Sequence, residues 1–248
     1  MDQPPRPTAG GMALSFTAVA KRLAGQVVLA GLDLAVREGE CFALVGVNGA
    51  GKTTAIKTLL DFSRPDAGTV AICGEPSHQP RARRHLAYLP ERFTPPHYLS
   101  GRDFLHTMCR LHGVAFDPAR VSALFEALAL DASALDKPVR SFSKGMAQKL
   151  GLAMCFLSER PLLVLDEPMS GLDPQARALV KRHLQALRQQ GRTLFFSTHL
   201  LADVEALCDR LAILHHGRLQ FLGTPAACRD RYHAPDLEAA FLSCIADG

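Results

Sequence analysis

Long hydrophobic runs are missing from this sequence of 248 residues. The longest apolar candidates, residues 41–47 and 150–157, fall far short of the roughly 18 to 20 residues that a membrane-spanning helix requires. The first residues, MDQPPRPTAGG, are rich in proline and glycine and lack the apolar core of a secretory signal. We therefore expect a flexible lead over residues 1–12, no crossing of a bilayer by this chain unaided, and a cytoplasmic location.

Closely spaced cysteines are also absent. Zinc sites and disulfide frameworks use clustered or regularly spaced cysteines, and no CxxC pair occurs here. The seven cysteines are Cys41, Cys73, Cys109, Cys155, Cys208, Cys228 and Cys244. We expect all of them to be reduced and most of them to be buried.

A strong excess of one charge is missing as well. The chain has 28 Lys and Arg against 24 Asp and Glu, which gives a formal net charge of +4. Its one basic cluster, Arg81, Arg83 and Arg84, has no interleaved aromatic residues and is predicted to form a solvated helix face rather than a phosphate-binding patch. No nucleic-acid partner is expected.

The composition is that of a globular protein, with 48% hydrophobic and 21% charged residues, and it favours one compact α/β unit with an inserted subdomain. Alternating apolar and polar positions in residues 13–19 and 32–36 predict strands of an antiparallel sheet. Residues 65–68 are predicted to form a turn before a strand at 69–73. From residue 100 to about 157 the apolar spacing becomes helical, which predicts a helical insertion.

The most informative stretch is the glycine-rich run GVNGAGKTT at residues 46–54, which fits the pattern of a phosphate-binding loop. A short apolar strand precedes it and a segment with helical spacing follows it, as such a loop requires. We expect Lys52 to reach the β- and γ-phosphates and the Thr53 hydroxyl to ligate Mg²⁺. The residues predicted to contact the nucleotide are Gly46, Asn48, Gly49, Gly51, Lys52, Thr53 and Thr54.

Two later strands are predicted to bring polar groups to the same sheet edge. Residues 162–165 form an apolar run that ends in Asp166 and Glu167, and residues 193–197 form a second run shortly before His199. In parallel sheets, ligands bind at the carboxyl ends of the strands, which is where these side chains stand. Asp173 and the following proline predict the start of a long helix that extends to about residue 190.

Four segments accompany the phosphate loop: SFSKGMAQK at 141–149, LLVLDEP at 162–168, SGLD at 170–173 and STH at 197–199. Their order and spacing, with Ser143 standing 23 positions (166 − 143) ahead of the acid pair, resemble the ATP-binding subunit of an ABC transporter. The resemblance covers residues 14–225, nearly the whole chain. The segments SKGM in the signature and YLPE at residues 88–91 are similar to those of the branch that works with ABC-2-type exporter permeases.

This resemblance implies an α/β fold with a P-loop NTPase core, a mostly parallel sheet, an N-terminal antiparallel β-subdomain and an inserted helical subdomain. The implied ATPase domain spans residues 13–230, with its helical subdomain at about 95–158 and a C-terminal tail at 231–248. The implied partners are a second ATPase subunit, identical or different, and an integral membrane permease of the ABC-2 type. The implied location is peripheral, on the cytoplasmic face of the cell membrane.

The resemblance also implies roles for single residues in hydrolysing ATP with Mg²⁺. Asp166 holds the Mg²⁺ shell together with Thr53, Glu167 polarises the attacking water, and His199 hydrogen-bonds the γ-phosphate. The residues implied to act across a dimer interface are Ser143 and Gly145, which reach the γ-phosphate bound by the opposite protomer, and Asp173, which contacts the partner.

The chain departs from the pattern of these relatives at three positions. Leu23 stands where an aromatic residue usually stacks on adenine. Glu91 stands where many relatives have a glutamine that contacts Mg²⁺ and water, and a carboxylate cannot donate a hydrogen bond there. Met146 replaces the glutamine of the signature.

Two other functions compete with the transporter interpretation. One is a soluble ABC-type ATPase that remodels a protein or nucleic-acid assembly; such proteins usually carry two ATPase domains or a long coiled-coil insertion, and neither feature is present. The other is a small-molecule kinase or GTPase, which the signature and the SGLD segment argue against.

Overall fold

The computed structural model describes residues 11–246, and this range contains both strands and helices. Its strands are β1 (Met12–Leu23), β2 (Gln26–Arg37), β3 (Cys41–Val45), β4 (Ala67–Ile72), β5 (Glu75–Pro76), β6 (Leu86–Leu89), β7 (Leu162–Asp166), β8 (Thr193–Thr198), β9 (Arg210–His215) and β10 (Arg218–Gly223). Its α-helices are α1 (Lys52–Leu59), α2 (Gly101–His112), α3 (Pro118–Ala127), α4 (Lys144–Leu157), α5 (Pro174–Gln189), α6 (Leu201–Leu207), α7 (Pro225–Arg231) and α8 (Leu237–Ala246). None of the described helices is long and apolar enough to cross a membrane.

The larger sheet has six strands in the order β10-β9-β3-β8-β7-β6, and all neighbouring pairs are parallel except β10 with β9. β3, β7 and β8 are buried along their whole length. β3 and β7 are accordingly almost continuously apolar in sequence, whereas β8 has a shorter apolar run between hydroxyl residues. Their registers align Val45 with Thr198 and Asp166 with Ser197. The phosphate loop, the acid pair and His199 therefore leave the sheet at the same edge.

The smaller sheet is antiparallel, with the strand order β2-β1-β4-β5, and confirms the predicted N-terminal β-subdomain. The predicted turn at residues 65–68 is too long, because β4 already begins at Ala67, which pairs with Ala20. The Asp66 carboxylate accepts hydrogen bonds from the Lys21 ammonium (3.0 Å) and the Arg22 amide (2.6 Å). These long-range bonds, rather than local turn propensity, fix the start of the strand.

Helices α2, α3 and α4 form the predicted helical insertion, and each begins at a side-chain cap. Ser100 opens α2 with a capping box: its hydroxyl accepts the Asp103 amide (3.1 Å), and its own amide donates to the Asp103 carboxylate (3.3 Å). Asp117 caps α3 and Ser143 caps α4. The fold class predicted from the sequence is confirmed.

Two hydrophobic clusters pack on opposite faces of the larger sheet. In β3, Cys41, Ala43 and Val45 belong to the cluster that includes the helical insertion, whereas Phe42 and Leu44 belong to the cluster beneath the β-subdomain. Because side chains alternate along a strand, a fully apolar β3 supplies both cores. The phosphate loop therefore extends from a strand that is rigidly packed on both faces.

Several sequence predictions concern parts outside this core. The seven cysteine thiols form no disulfide within residues 11–246, and five of the seven are buried. The predicted solvated basic face is wrong for Arg83, which donates to the Ser77 carbonyl (2.7 Å) and pairs with Asp61 (3.5 Å). Arg81 forms an ion pair with Glu75.

The two chain ends are described to different extents. Residues 1–10 of the predicted flexible lead lie outside the described residues, and Met12 already begins β1. Within the predicted C-terminal tail, α8 buries Leu237, Ala240 and Cys244 and packs against α6, α7, β9 and β10. The boundaries of the predicted domains stay predictions.

Candidate functional site

The phosphate loop connects β3 to α1 and bends through conformations that favour glycine. Gly51, at the N-cap of α1, has φ of 111°, a value that L residues with a Cβ rarely adopt. At Gly46 an added Cβ would collide with the carbonyl oxygen of Leu214, at the end of β9. The loop is therefore held tightly against β9, and the amino end of α1 faces the loop with the positive end of its dipole.

Lys52 lies folded into this loop. Its ammonium donates to the carbonyl oxygens of Gly46 (2.6 Å) and Val47 (3.3 Å), and the residue is 7% exposed. Burial lowers the pKa of Lys52 below its ordinary value, and the charges of Glu167 and Asp166 oppose this effect. The loop thus holds a nearly buried cation beside two carboxylates, at the place where a phosphate would bind.

Asp166 ends β7 and is fixed by hydroxyl groups. Its Oδ1 accepts the Ser197 hydroxyl at 2.5 Å, and it also accepts a hydrogen bond from the side chain of Thr53. Burial raises the pKa of Asp166, which these two hydrogen bonds oppose. A carboxylate and a hydroxyl are hard oxygen donors of the kind that Mg²⁺ prefers, so Asp166 and Thr53 fit that ion.

Glu167 stands between a cation and a histidine. Its Oε1 lies 3.8 Å from the Lys52 ammonium, and its Oε2 lies 3.0 Å from Nδ1 of His199. Its amide donates to the hydroxyl of Ser197 at 3.0 Å. The backbone of Glu167 has φ of 49°, in the left-handed region that is unfavourable for a residue with a Cβ. Residues that their neighbours hold in a strained conformation are typical of functional sites, so this conformation supports Glu167 as a functional residue.

Lys52, Glu167 and His199 line one cleft with a volume of about 440 Å³. The lining residues that the sequence predicted are Asn48, Gly49, Gly51, Lys52, Thr53, Thr54, Glu167 and His199, with Glu91, which the sequence had singled out as a departure. The lining residues that it missed are Val28, Val47 and Ser170. Val47 and Ser170 stand inside motifs that were recognised, whereas Val28 reaches the cleft from β2 and carried no signal in the sequence.

Ser197 is a further residue that sequence reasoning did not assign. Its hydroxyl donates to Asp166 and accepts the amide of Glu167, so it fixes both acids from the neighbouring strand. The available signal was its place at the carboxyl end of β8, directly opposite Asp166.

Five predicted site residues are not among those that line this cleft. Two of them touch lining residues: Gly46 accepts a hydrogen bond from Lys52, and Asp166 accepts one from Thr53. The other three are Ser143, Gly145 and Asp173. Ser143 is exposed at the amino end of α4, and its hydroxyl accepts the Met146 amide (3.2 Å). Gly145 lies in the first turn of the same helix. Asp173 is exposed and caps α5 by accepting the Ala176 amide (2.9 Å). Within one chain Ser143, Gly145 and Asp173 are therefore not part of the cleft that the phosphate loop lines.

The residues that could cover the adenine base do not include an exposed aromatic side chain at the position where relatives usually have one. Leu23 is 46% exposed at the end of β1 and is not among the residues that line the cleft. Phe16, the alternative candidate for covering the base, is only 2% exposed and packs in the core beneath the β-subdomain. Val28 is the residue of the β-subdomain that lines the cleft.

Comparisons with known proteins agree with this geometry. The family described as ABC transporter matches residues 29–170. The chain is 39% identical over 229 residues to a Nod factor export ATP-binding protein I of Ralstonia nicotianae, which covers 90% of this chain and 71% of the relative. It is 39% identical over 218 residues to the protein of the same name from Burkholderia orbicola, covering 86% and 71%.

Solved structures show the same fold. A structure of an ATP-binding subunit of an ABC transporter superposes with a TM-score of 0.86 at 30% identity, covering 94% of this chain and 99% of that one. A dimeric ATP-binding cassette in a post-hydrolysis state with ADP and Pi superposes with a TM-score of 0.77 at 17% identity, covering 85% and 98%. With the matched family and the cleft geometry, these findings show that the chain belongs to the ABC transporter family as an ATP-binding subunit with ATPase activity.

Proposed function

We propose that this subunit dimerises around Mg²⁺-bound ATP and drives a separate permease of the ABC-2 type that exports its substrate. The relatives at 39% identity are named as export ATP-binding proteins, which supports the direction of transport. The SKGM and YLPE segments support the ABC-2 branch. In this proposal the chain sits at the cytoplasmic face of the membrane through its permease.

The observation that carries the proposed chemistry is the position of Glu167 between Lys52 and His199 in the cleft. Lys52 gives up the carbonyl oxygens of Gly46 and Val47 and binds the β- and γ-phosphates. Glu167 accepts a hydrogen bond from the attacking water and orients it, while His199 holds the Glu167 carboxylate and reaches the γ-phosphate. The other phosphate contacts come from Gly46, Asn48, Gly49, Gly51 and Thr54.

Mg²⁺ fits the oxygen donors of Thr53 and Asp166, and when bound it neutralises the charge that develops on the phosphate oxygens. Asp166 is suited to hold it because Ser197 fixes the carboxylate in one orientation. The remaining ligands of the ion would be phosphate oxygens and water, which is the usual arrangement for Mg²⁺ at nucleotide sites.

The exposed end of α4 supports a composite site. Ser143 and Gly145 present a hydroxyl, backbone amides and the positive end of a helix to solvent rather than to their own phosphate loop. In the proposed dimer they bind the γ-phosphate held by the partner, and Asp173 contacts the partner at the same interface.

The test separates nucleotide binding from hydrolysis. Lys52→Ala removes the buried cation and should abolish binding of ATP. Glu167→Gln keeps the size of the side chain but removes its charge, so this variant should bind ATP, hydrolyse it at least about 100-fold more slowly and accumulate as a dimer in size-exclusion chromatography. Glu126→Gln, an exposed change on α3, is the matched control and should behave as wild type.

Wild-type turnover by Glu167→Gln would refute the assigned role of this carboxylate. The partner is tested separately, by purifying the tagged chain from detergent extracts of membranes. Recovery of a permease of another type, or of a ribosomal or DNA-repair assembly in place of a permease, would refute the proposed partner.

A further inference from the structure

Glu91 is the one acidic residue of the cleft that nothing holds in place. It follows β6 and Pro90, it is exposed, and it lines the cleft together with Lys52, Thr53 and Glu167. Among residues 11–246 its carboxylate has neither a hydrogen-bond partner nor an ion-pair partner. Its charge nevertheless acts on both Lys52 and Asp166.

The other two carboxylates are already engaged. Asp166 accepts hydrogen bonds from Ser197 and Thr53, and Glu167 lies against His199 and Lys52. Glu91 therefore adds a third negative charge around Lys52, which is the one lysine or arginine among the residues that line the cleft. A carboxylate has no proton to donate to a phosphate oxygen, so no contact with the nucleotide offsets its repulsion.

The phosphate chain of ATP carries more negative charge without a metal than with one. A carboxylate at the mouth of the cleft repels the metal-free form more strongly than the metal-bound form. It also attracts the cation itself, since hard cations bind carboxylate oxygens. Both effects favour the complex over the bare nucleotide.

We infer that Glu91 makes nucleotide binding depend on a divalent cation, by excluding metal-free ATP from the cleft and favouring the Mg²⁺ complex. This inference rests on the proposed function of the cleft and adds a specificity role for a residue outside the phosphate loop and the acid pair. Glu91 acts through its charge and its exposed position.

The experiment measures equilibrium binding of a fluorescent ATP analogue to the full chain, once in EDTA and once in excess Mg²⁺. Glu91→Gln should bind the analogue about 3- to 10-fold more tightly than wild type in EDTA and should gain less from Mg²⁺. Glu91→Asp keeps the charge and should retain the wild-type dependence on Mg²⁺. Glu126→Gln removes a negative charge far from the cleft and should match wild type in both buffers.

Salt provides a second readout, because screening weakens charge repulsion at an exposed position. The difference between wild type and Glu91→Gln in EDTA should shrink when the ionic strength is raised from 0.05 M to about 0.5 M. A structural role for Glu91 would not produce this dependence.

The inference fails if Glu91→Gln and wild type bind equally in both buffers, or if the variant binds more weakly in EDTA. Failure of the proposed function gives a different result, in which wild type itself binds no analogue in the presence of Mg²⁺ or Lys52→Ala binds as well as wild type.

Discussion

Nδ1 of His199 lies 3.0 Å from Oε2 of Glu167, although the histidine side chain is 52% exposed and the glutamate side chain only 10%. The contact therefore joins the solvent side of the cleft to its buried floor. A histidine in this position determines which way the carboxylate faces, and with it the position of any water that the carboxylate holds.

His199→Ala should retain ATP binding, since Lys52 and the loop amides are untouched. Its turnover should fall by up to roughly 100-fold, because a misoriented Glu167 no longer aligns the water. Steady-state release of phosphate and binding of a fluorescent nucleotide would measure the two effects. His78→Ala, which changes an exposed histidine outside the cleft, is the control. Equal loss of binding and turnover in His199→Ala would contradict a role in orienting Glu167.

Mixing two inactive variants should restore hydrolysis. In the proposed composite site, Lys52→Ala disables the loop of its own chain, and Ser143→Arg blocks the α4 end that would serve the partner. A heterodimer of the two keeps one intact composite site and should show up to about half of the wild-type rate if the sites act independently. Differently tagged chains would be purified together and assayed for release of phosphate.

If heterodimers form but hydrolyse no ATP, two explanations remain: both sites must act together, or each site is built from one chain. A cysteine crosslink between position 143 and a loop residue of the partner separates them. Its absence in the ATP-bound Glu167→Gln dimer would contradict the composite site.

Discrimination between ATP and GTP should be weak, because neither phenylalanine nor tyrosine is among the described residues that line the cleft. Leu23 is exposed at the end of β1 and is not among the residues that line the cleft, and Phe16 is buried in the core. Leu23→Tyr should tighten ATP binding by up to roughly tenfold, within the 1 to 3 kcal/mol that base stacking contributes in nucleic-acid sites. Competition of ATP and GTP against a fluorescent nucleotide measures this, with Met12→Tyr as an exposed aromatic control on the same strand. A strong preference of the wild type for ATP would contradict the prediction.

His183 should make the fold less stable in mild acid. It packs against Phe156 with ring centroids 4.5 Å apart, and burial, followed by the nearby charge of Arg192, lowers its pKa below the ordinary 6.5. The unfolded chain then binds a proton that the folded chain resists, so the contribution of His183 to stability is complete above pH 6.5 and is lost as the pH falls below it. The melting temperature of His183→Gln should therefore decrease less than that of wild type between pH 7.5 and 5.5, in buffers of about equal ionic strength.

His78→Gln is the control for the loss of a histidine, and its melting temperature should follow the wild-type curve. The same decrease in wild type and in His183→Gln would show that His183 does not resist protonation in the folded state.

Much of the site was predictable because its signals are local. The apolar runs that became β3 and β7, the glycines of the loop and the cap at Asp173 all act within a few residues, so their pattern survives in the linear sequence. The start of β4 was missed because it depends on hydrogen bonds that Asp66 accepts from Lys21 and Arg22, far away in the chain. Val28 was missed because only the packing of the β-subdomain against the sheet brings it to the cleft.

The contacts between individual side chains of the site could not be predicted from the sequence either. Glu167, Ser197 and His199 were all inside recognised segments, yet nothing in their spacing shows that the serine bridges the two acids or that the histidine touches Glu167. Such contacts depend on the register between neighbouring strands. The periodicity of a sequence indicates which face of the sheet a side chain is on, but not which residue of the next strand lies beside it.

Because the backbone of Glu167 is left-handed, the residue that is best for folding stability at this position differs from the residue that is best for turnover. That conformation costs on the order of 1 to 2 kcal/mol for most residues and much less for glycine or asparagine. A library randomised at this codon and screened only for heat resistance should therefore enrich glycine and asparagine. The same library screened for ATP turnover should return glutamate. The difference in folding stability between the variants selected by the two screens would measure the cost of keeping a charged side chain at this position.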